Sequence, residues 1–257
     1  MPQDRTMLQQ APGLTVERVV KHAGAMQWSP TYEVPTPRLV LPAHGATEFR
    51  LAGQSVLLDS ITVLGLPTCL PYQMKPCVAQ ARTSIVVSSL RGTPPWQHDA
   101  RAWLLTPRAL WRLRSHWRAL ARGCEGAKPT YTLLQAELHA ATPVARGVGR
   151  STEVVQRAQR FMAAQDNAGW RLHDVADAAC CSLFHLARQF RRHTGLSLHA
   201  YRQRLRLATA LQRLEDGERD LAGLAHDLGY SSQSHFGNTF HREIGVTPAR
   251  ARLDLAA

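Results

Sequence analysis

Two copies of one pattern lie about fifty residues apart in the C-terminal part of the chain, and they restrict the fold more than any other feature. Val175, Ala176 and Ser182, followed by Leu186, Phe190, Gly195, Leu196 and Ser197, return as Leu224, Ala225 and Ser232, followed by Phe236, Phe240, Gly245, Val246 and Thr247. The offset is 49 residues before the turn and 50 after it, so the second turn is one residue longer. Each copy reads as a helix, a tight turn and a second helix with an inward i, i+4 apolar pair. Gly229 suits the left-handed conformation that closes a helix, and Ser231 or Ser232 can cap the next. Gly245 then stops that helix, Thr247 caps another, and Pro248 fits its first position. Between the copies, Ser197 to Leu214 reads as one continuous helix, about 25 Å long at 1.5 Å per residue.

The first part of the chain has a different period. Leu39–Leu41, Glu48–Leu51, Ser55–Leu58, Ile61–Leu64 and Ser84–Ser88 are short, rich in β-branched residues and bounded by Pro or Gly. Runs of this kind predict an antiparallel sandwich or small barrel. Residues 1–20 are weakly patterned, with Pro12-Gly13 as a breaker. Thr106 and Pro107 mark a helix start, with Leu110, Leu113, Trp117 and Leu120 as its stripe and Gly123 as its stop. Arg108, Arg112, Arg114, Arg118 and Arg122 cover much of the rest, and a second helix is expected at 130–141. The pair is expected to pack against itself or a partner subunit. Pro143, Gly147 and Gly149 mark a linker. The expected division is a sensing or dimerisation domain at 1–142, a linker at 143–150 and an all-α domain at 151–257, an α+β organisation overall.

Composition narrows the function. The 257 residues carry a net charge of +12, which favours a polyanionic partner. The excess is spread along the chain, with 15 Lys and Arg against 8 Asp and Glu in residues 1–145 and 16 against 11 in the remainder. No apolar run approaches the roughly 20 residues of a spanning helix, and the polar N-terminus lacks the apolar core of a signal peptide. Cysteines 69, 77, 124, 180 and 181 form no CxxC pair, so free thiols in a reducing cytoplasm are expected. His44 and Glu48 do not amount to the three protein ligands of a catalytic metal site, and no phosphate loop, HExxH or GxSxG is present. Neither a metal, a cofactor nor an enzyme activity is expected.

Opposite Phe236 and Phe240, at about 100° per residue, lie Ser234, Asn238, His241 and Arg242, flanked by His235. A buried aromatic stripe behind an outward polar face suits a helix laid in a DNA groove. Residues from about 155 to 252 resemble the AraC/XylS-type transcription regulators, most closely over Val175–Phe190, Leu224–Phe240 and Gly245–Pro248. The N-terminal part resembles their cupin-like domains through its strand layout and Pro71-Tyr72. The resemblance implies a sequence-specific regulator whose two helix-turn-helix units read adjacent major-groove segments. It aligns Phe184, Ala187 and Arg188 with groove-facing positions. Arg188 suits a bidentate pair with guanine, and Phe184 suits a thymine methyl. Arg191 and Arg192, later in the helix, suit phosphates. In the second unit Gln233, Ser234, His235 and Asn238 are the expected base-facing residues, with Arg242 on phosphate. Two departures bear on this. Asn238 stands where Arg is frequent and Gly237 offers no side chain, so the second helix is expected to lean more on backbone contacts or DNA shape. Cys180 stands at the first turn, where Gly, Asn or His is frequent. Double-stranded DNA and a second copy of the chain are the expected partners, with room for RNA polymerase and a small-molecule effector. The rival readings are a DNA-repair protein with an alkyl-accepting cysteine and an effector-binding protein whose reader is a degenerate docking surface.

Overall fold

The computed structural model describes residues 3–51, 53–88, 96, 98–123, 130–145, 150–165 and 170–255. Its first part is antiparallel. β1 (Gln3–Ala11) and β2 (Leu14–Lys21) pair around Pro12-Gly13, with Gly13 at φ +76°. There follow β3 (Arg38–His44), β4 (Thr47–Leu51), β5 (Gln54–Leu58), β6 (Thr62–Leu66), β7 (Tyr72–Pro76), β8 (Arg82–Ser88) and β9 (Arg101–Leu104). The five strand runs expected from the sequence fall on β3 to β6 and β8. The opening hairpin was not expected. β1 is an outer strand with most of its residues exposed, so no apolar alternation marks a buried face.

After β9 come α1 (Pro107–Ala121), α2 (Thr130–Ala140) and the two-residue β10 (Thr142–Pro143). The larger sheet runs β1-β2-β8-β3-β6-β9-β10 and the smaller β5-β4-β7. Successive side chains of the larger sheet enter different cores. Val16, Leu39, Leu41, Val63, Ile85 and Val87 join the core that contains the helices. Val40, Leu64, Leu66 and Ala102 instead join Phe49, Leu51, Leu58 and Tyr72 of the smaller sheet. Burial on both faces is why these strands read as unbroken apolar runs.

Helix α1 starts where Thr106 Oγ1 accepts from the Ala109 N–H at 3.1 Å. Its basic face is engaged within the chain. Arg112 pairs with Glu137 at 2.6 Å, while Arg114 and Arg118 both reach Glu215 at 2.6 and 3.0 Å. The remaining helices are α3 (Arg150–Ala164), α4 (Leu172–Ala178), α5 (Leu183–Thr194), α6 (Leu198–Glu215), α7 (Leu221–Asp227), α8 (Gln233–Ile244) and α9 (Pro248–Leu255). One apolar core runs from Trp103 through Leu110 and Trp117 to Phe190, Tyr201 and Phe236. At the expected linker, the Val144 N–H donates to Ala102 O at 2.9 Å and the Ala145 N–H to His193 O at 2.8 Å. Residues 146–149 lie outside the described set.

The rod α6 is fastened to the β region. The Tyr201 hydroxyl donates to the Asp59 carboxylate and accepts from Gln159 Nε2 at 3.0 Å. Arg204 donates to the carbonyls of Leu104 and Leu105 at 3.3 and 3.1 Å. Three arginines of this helix, Arg202, Arg204 and Arg206, are engaged within the chain rather than forming a solvated row. Arg202 donates to Trp170 O at 2.6 Å and lies over that indole, and Arg206 lies over the Tyr230 ring. Burial pushes the Asp59 carboxyl above its usual range, against hydrogen bonds from Tyr201, Thr62 and the Ile61 N–H.

Candidate nucleic-acid interface

The two helix pairs repeat in detail. Cys180 and Gly229 both hold left-handed φ values, +55° and +72°, just after α4 and α7. In each turn the N–H of the next residue returns to a helical carbonyl, Cys181 to Ala176 at 3.1 Å and Tyr230 to Ala225 at 2.9 Å. Ser182 Oγ accepts from the His185 N–H at 3.3 Å and Ser232 Oγ from the His235 N–H at 3.1 Å, which starts α5 and α8. Both helices end on a left-handed glycine, Gly195 at φ +71° and Gly245 at +97°. Leu186 with Phe190 and Phe236 with Phe240 are fully buried. The inward stripes and caps expected from the sequence are therefore present, with Ser232 rather than Ser231 as the cap.

Burying one stripe leaves the opposite face to solvent. Phe184, Ala187, Arg188, Arg191 and Arg192 are exposed along α5, and Gln233, Ser234, His235, Asn238 and Arg242 along α8. Each helix thus gathers its own set. Phe184 is 80 % exposed, an unusual state for a phenyl ring and one that rules out packing against a neighbouring helix. No carboxylate among the described residues forms an ion pair with Arg188, Arg191 or Arg192, so their charge is open to an incoming anion.

The second unit is more engaged with itself. His235 Nδ1 lies 3.0 Å from Ser231 Oγ, and its ring packs edge-on to Tyr230. Arg242 Nε is 3.1 Å from Glu243 Oε1. Gly237 faces open space, where an added Cβ would meet nothing within 4 Å. A role of Tyr230 went unread in the sequence: its hydroxyl accepts from Gln203 Nε2 at 2.8 Å and its ring packs at a tilt against Phe236. Cys181, its counterpart, is only partly buried and packs at the edge of the core.

Residues 175–253, which span α5 to α8 and their flanking helices, match the helix-turn-helix domain family. The relatives over this region are named AraC-like regulators and activators. The C-terminal region is a helix-turn-helix domain similar to those of AraC-like regulators. It is 37% identical over 87 residues to the transcriptional activator RhaS of Shigella boydii serotype 18, covering 34% of this chain and 31% of that protein. It is 32% identical over 104 residues to a putative AraC-like transcription regulator of Streptomyces lividans, covering 40% of this chain and 34% of that one. The chain thus spans about a third of the length of these curated relatives. Over 95% of this chain and 98% of the other, it is 10% identical to the crystal structure of ToxT from Vibrio cholerae O395, with a TM-score of 0.37.

No helix among the described residues is long and apolar enough to cross a membrane. Among the same residues, no cluster of three or more His, Cys, Asp or Glu is placed to hold a metal ion. The described cysteines 69, 77, 180 and 181 are free thiols, and Cys124 lies outside the described set. Burial and the nearby Glu48 push the Cys77 thiol up to about 11, so it stays protonated at neutral pH.

Proposed function

We propose that this chain is a sequence-specific DNA-binding transcription regulator that lays α5 and α8 in adjacent major-groove segments. The observation that carries the reading is the repeated outward face: two capped helices, each backed by a buried pair, each exposing hydrogen-bonding or cationic side chains. Phe184, Ala187 and Arg188 in the first, and Gln233, Ser234, His235 and Asn238 in the second, are the proposed base contacts. Arg191, Arg192 and Arg242 are proposed to neutralise phosphates, with Arg242 exchanging Glu243 for DNA. The 18 residues of α6 give a rise of about 27 Å, of the same order as the roughly 34 Å between successive major-groove faces.

The domain division at 142 and 150 belongs to the same proposal. Residues 1–142 would sense a small molecule and provide the contacts of a cytoplasmic homodimer, with no catalytic role. Against the DNA-repair reading stands Cys77, whose protonated thiol is a poor alkyl acceptor. DNase footprinting on the chain's own upstream DNA tests the proposal. Protection by the native chain that weakens for Arg188→Ala and Asn238→Ala, and falls steeply with salt, is the expected result. Protection and salt dependence unchanged in both variants would reject the contact assignment.

A further inference from the structure

The turn of the second unit carries one residue more than that of the first, and the residue is Ser231. Cys180 and Cys181 run directly into the cap Ser182, whereas Gly229 and Tyr230 are followed by Ser231 before the cap Ser232. An inserted residue can serve as a spacer alone. Here its side chain has a partner: Ser231 Oγ lies 3.0 Å from Nδ1 of His235, on the first turn of α8. His185 holds the matching place on α5, and among the described residues its ring has no hydrogen bond.

His235 is held from a second side. Its ring stands nearly perpendicular to that of Tyr230, at 84° with centroids 5.4 Å apart. Tyr230 is buried and fixed in turn from α6, where Gln203 Nε2 donates to its hydroxyl and the Arg206 guanidinium lies 5.7 Å from its ring centroid. Hydroxyl and ring together restrict the imidazole, although the residue is exposed. The other ring nitrogen, Nε2, has no partner among the described residues.

The bond to Ser231 also selects a tautomer. Nδ1 faces the residue that precedes the cap, where the unpaired N–H groups of the first turn give the helix end a partial positive charge. A lone pair is favoured there over a ring proton, so the Ser231 hydroxyl donates to Nδ1 and the proton sits on Nε2. An Nε2–H donates only to an acceptor. In the major groove guanine, adenine and thymine each present one, while cytosine presents only its amino group.

We infer that Ser231 is a positioning residue: it holds His235 as the Nε2–H tautomer, and His235 thereby donates to an acceptor on a base edge and discriminates against cytosine at that place. This rests on reading α8 as a groove helix and names how its histidine is aimed.

The test uses the full chain with 15N-labelled histidine, and a duplex carrying the site protected in its upstream DNA. Long-range 1H–15N NMR of the free protein at pH 8, where a free imidazole is neutral, reads the tautomer, and the spectrum of His235→Ala identifies the signal. The native chain should show the Nε2–H form, Ser231→Ala a larger Nδ1–H share, and Ser231→Thr the native pattern. In competition binding, Ser231→Ala and His235→Ala should lose preference at the same base pair, the first by about threefold to tenfold. Ser231→Thr should keep that preference, and Ser231→Ala should change nothing further in the His235→Ala background. An Nδ1–H form in the native chain, a tautomer unmoved by Ser231→Ala, or a loss uniform across all site variants would each overturn the assignment. Footprinting of the native chain is read separately. Lost protection with the expected tautomer removes the DNA reading and leaves the ring's positioning standing. Intact protection with the wrong tautomer removes the histidine assignment alone.

Discussion

Helices α5 and α8 both start on a serine, end on a left-handed glycine and bury an i, i+4 pair, yet their outer faces differ. The first shows Phe184, Arg188, Arg191 and Arg192. The second shows Gln233, Ser234 and Asn238 around a bare Gly237, with His235 and Arg242 already holding partners of their own. Their supports differ too. Phe190 of the first unit packs edge-on against Tyr201, whose hydroxyl is bound by the buried Asp59. The second is braced by α1, where the Arg108 guanidinium lies over Gly245 at the C-terminal end of α8. A cation there also suits the helix dipole. The lesson is that one scaffold can be duplicated while reading chemistry and anchorage diverge, because the inward stripe fixes the scaffold and leaves the outward face free.

The largest effect tests the shared scaffold. Phe190→Ala and Phe236→Ala should each lower stability by about 3–5 kcal/mol, because each empties a fully buried aromatic site. Urea unfolding measures it. If the second unit were a loosely attached copy, Phe236→Ala would cost far less than Phe190→Ala and the equivalence would break.

Next comes the asymmetry in reading. Arg188→Ala should reduce DNA affinity by about 1–3 kcal/mol and relax specificity at one base pair, as expected for a bidentate guanine contact. Asn238→Ala should cost less, and Arg191→Ala should lower the salt slope by about one without changing sequence preference. Competition binding on single-base variants separates these outcomes. A larger loss for Asn238→Ala would reverse the ranking of the two helices.

Much of this was legible beforehand, and the reason is local. Caps, stops and the i, i+4 pairs depend on residues within one or two turns of each other, so Ser182, Gly195, Phe236 and Phe240 announce themselves in sequence. The polar outward faces follow from the same spacing. What stayed hidden depends on contacts far apart in the chain. Asp59 lies 142 positions from Tyr201, and Arg114 lies 101 from Glu215. Nothing near Arg204 marks it as a donor to strand-end carbonyls rather than to phosphate. The β1–β2 hairpin escaped because an exposed outer strand has no buried face to pattern.

That hidden Asp59–Tyr201 contact gives a pH signature confined to the first unit's support. Burial raises the folded Asp59 carboxyl above the ordinary aspartate value of 3.8, so between that value and its folded value the native state holds more proton than the unfolded chain. Stability contributed at this site therefore falls as pH rises through the window. Asp59→Asn removes the titration, so the stability of the native chain relative to the variant should decline from about pH 4 upward and then level off. Tyr201→Phe should cost about 1–3 kcal/mol by depriving a buried carboxylate of a donor. Hydrogen exchange should then quicken in α5 and stay unchanged in α8. Equal quickening in both would show that the two units share one anchor.

The smallest effects sit at the paired turns, and they should have opposite signs. Cys180 holds a left-handed backbone that a residue with a Cβ adopts at a cost of about 1–2 kcal/mol, while Gly229 holds the same conformation without that cost. Cys180→Gly should therefore raise stability by up to about 1 kcal/mol, the relief being partly offset by the greater freedom of glycine in the unfolded chain. Gly229→Ala should lower stability by about 1–2 kcal/mol. Thermal unfolding of both variants decides it. A destabilised Cys180→Gly would mean that the exposed cysteine side chain makes contacts worth more than the strain, and the two turns would no longer be equivalent.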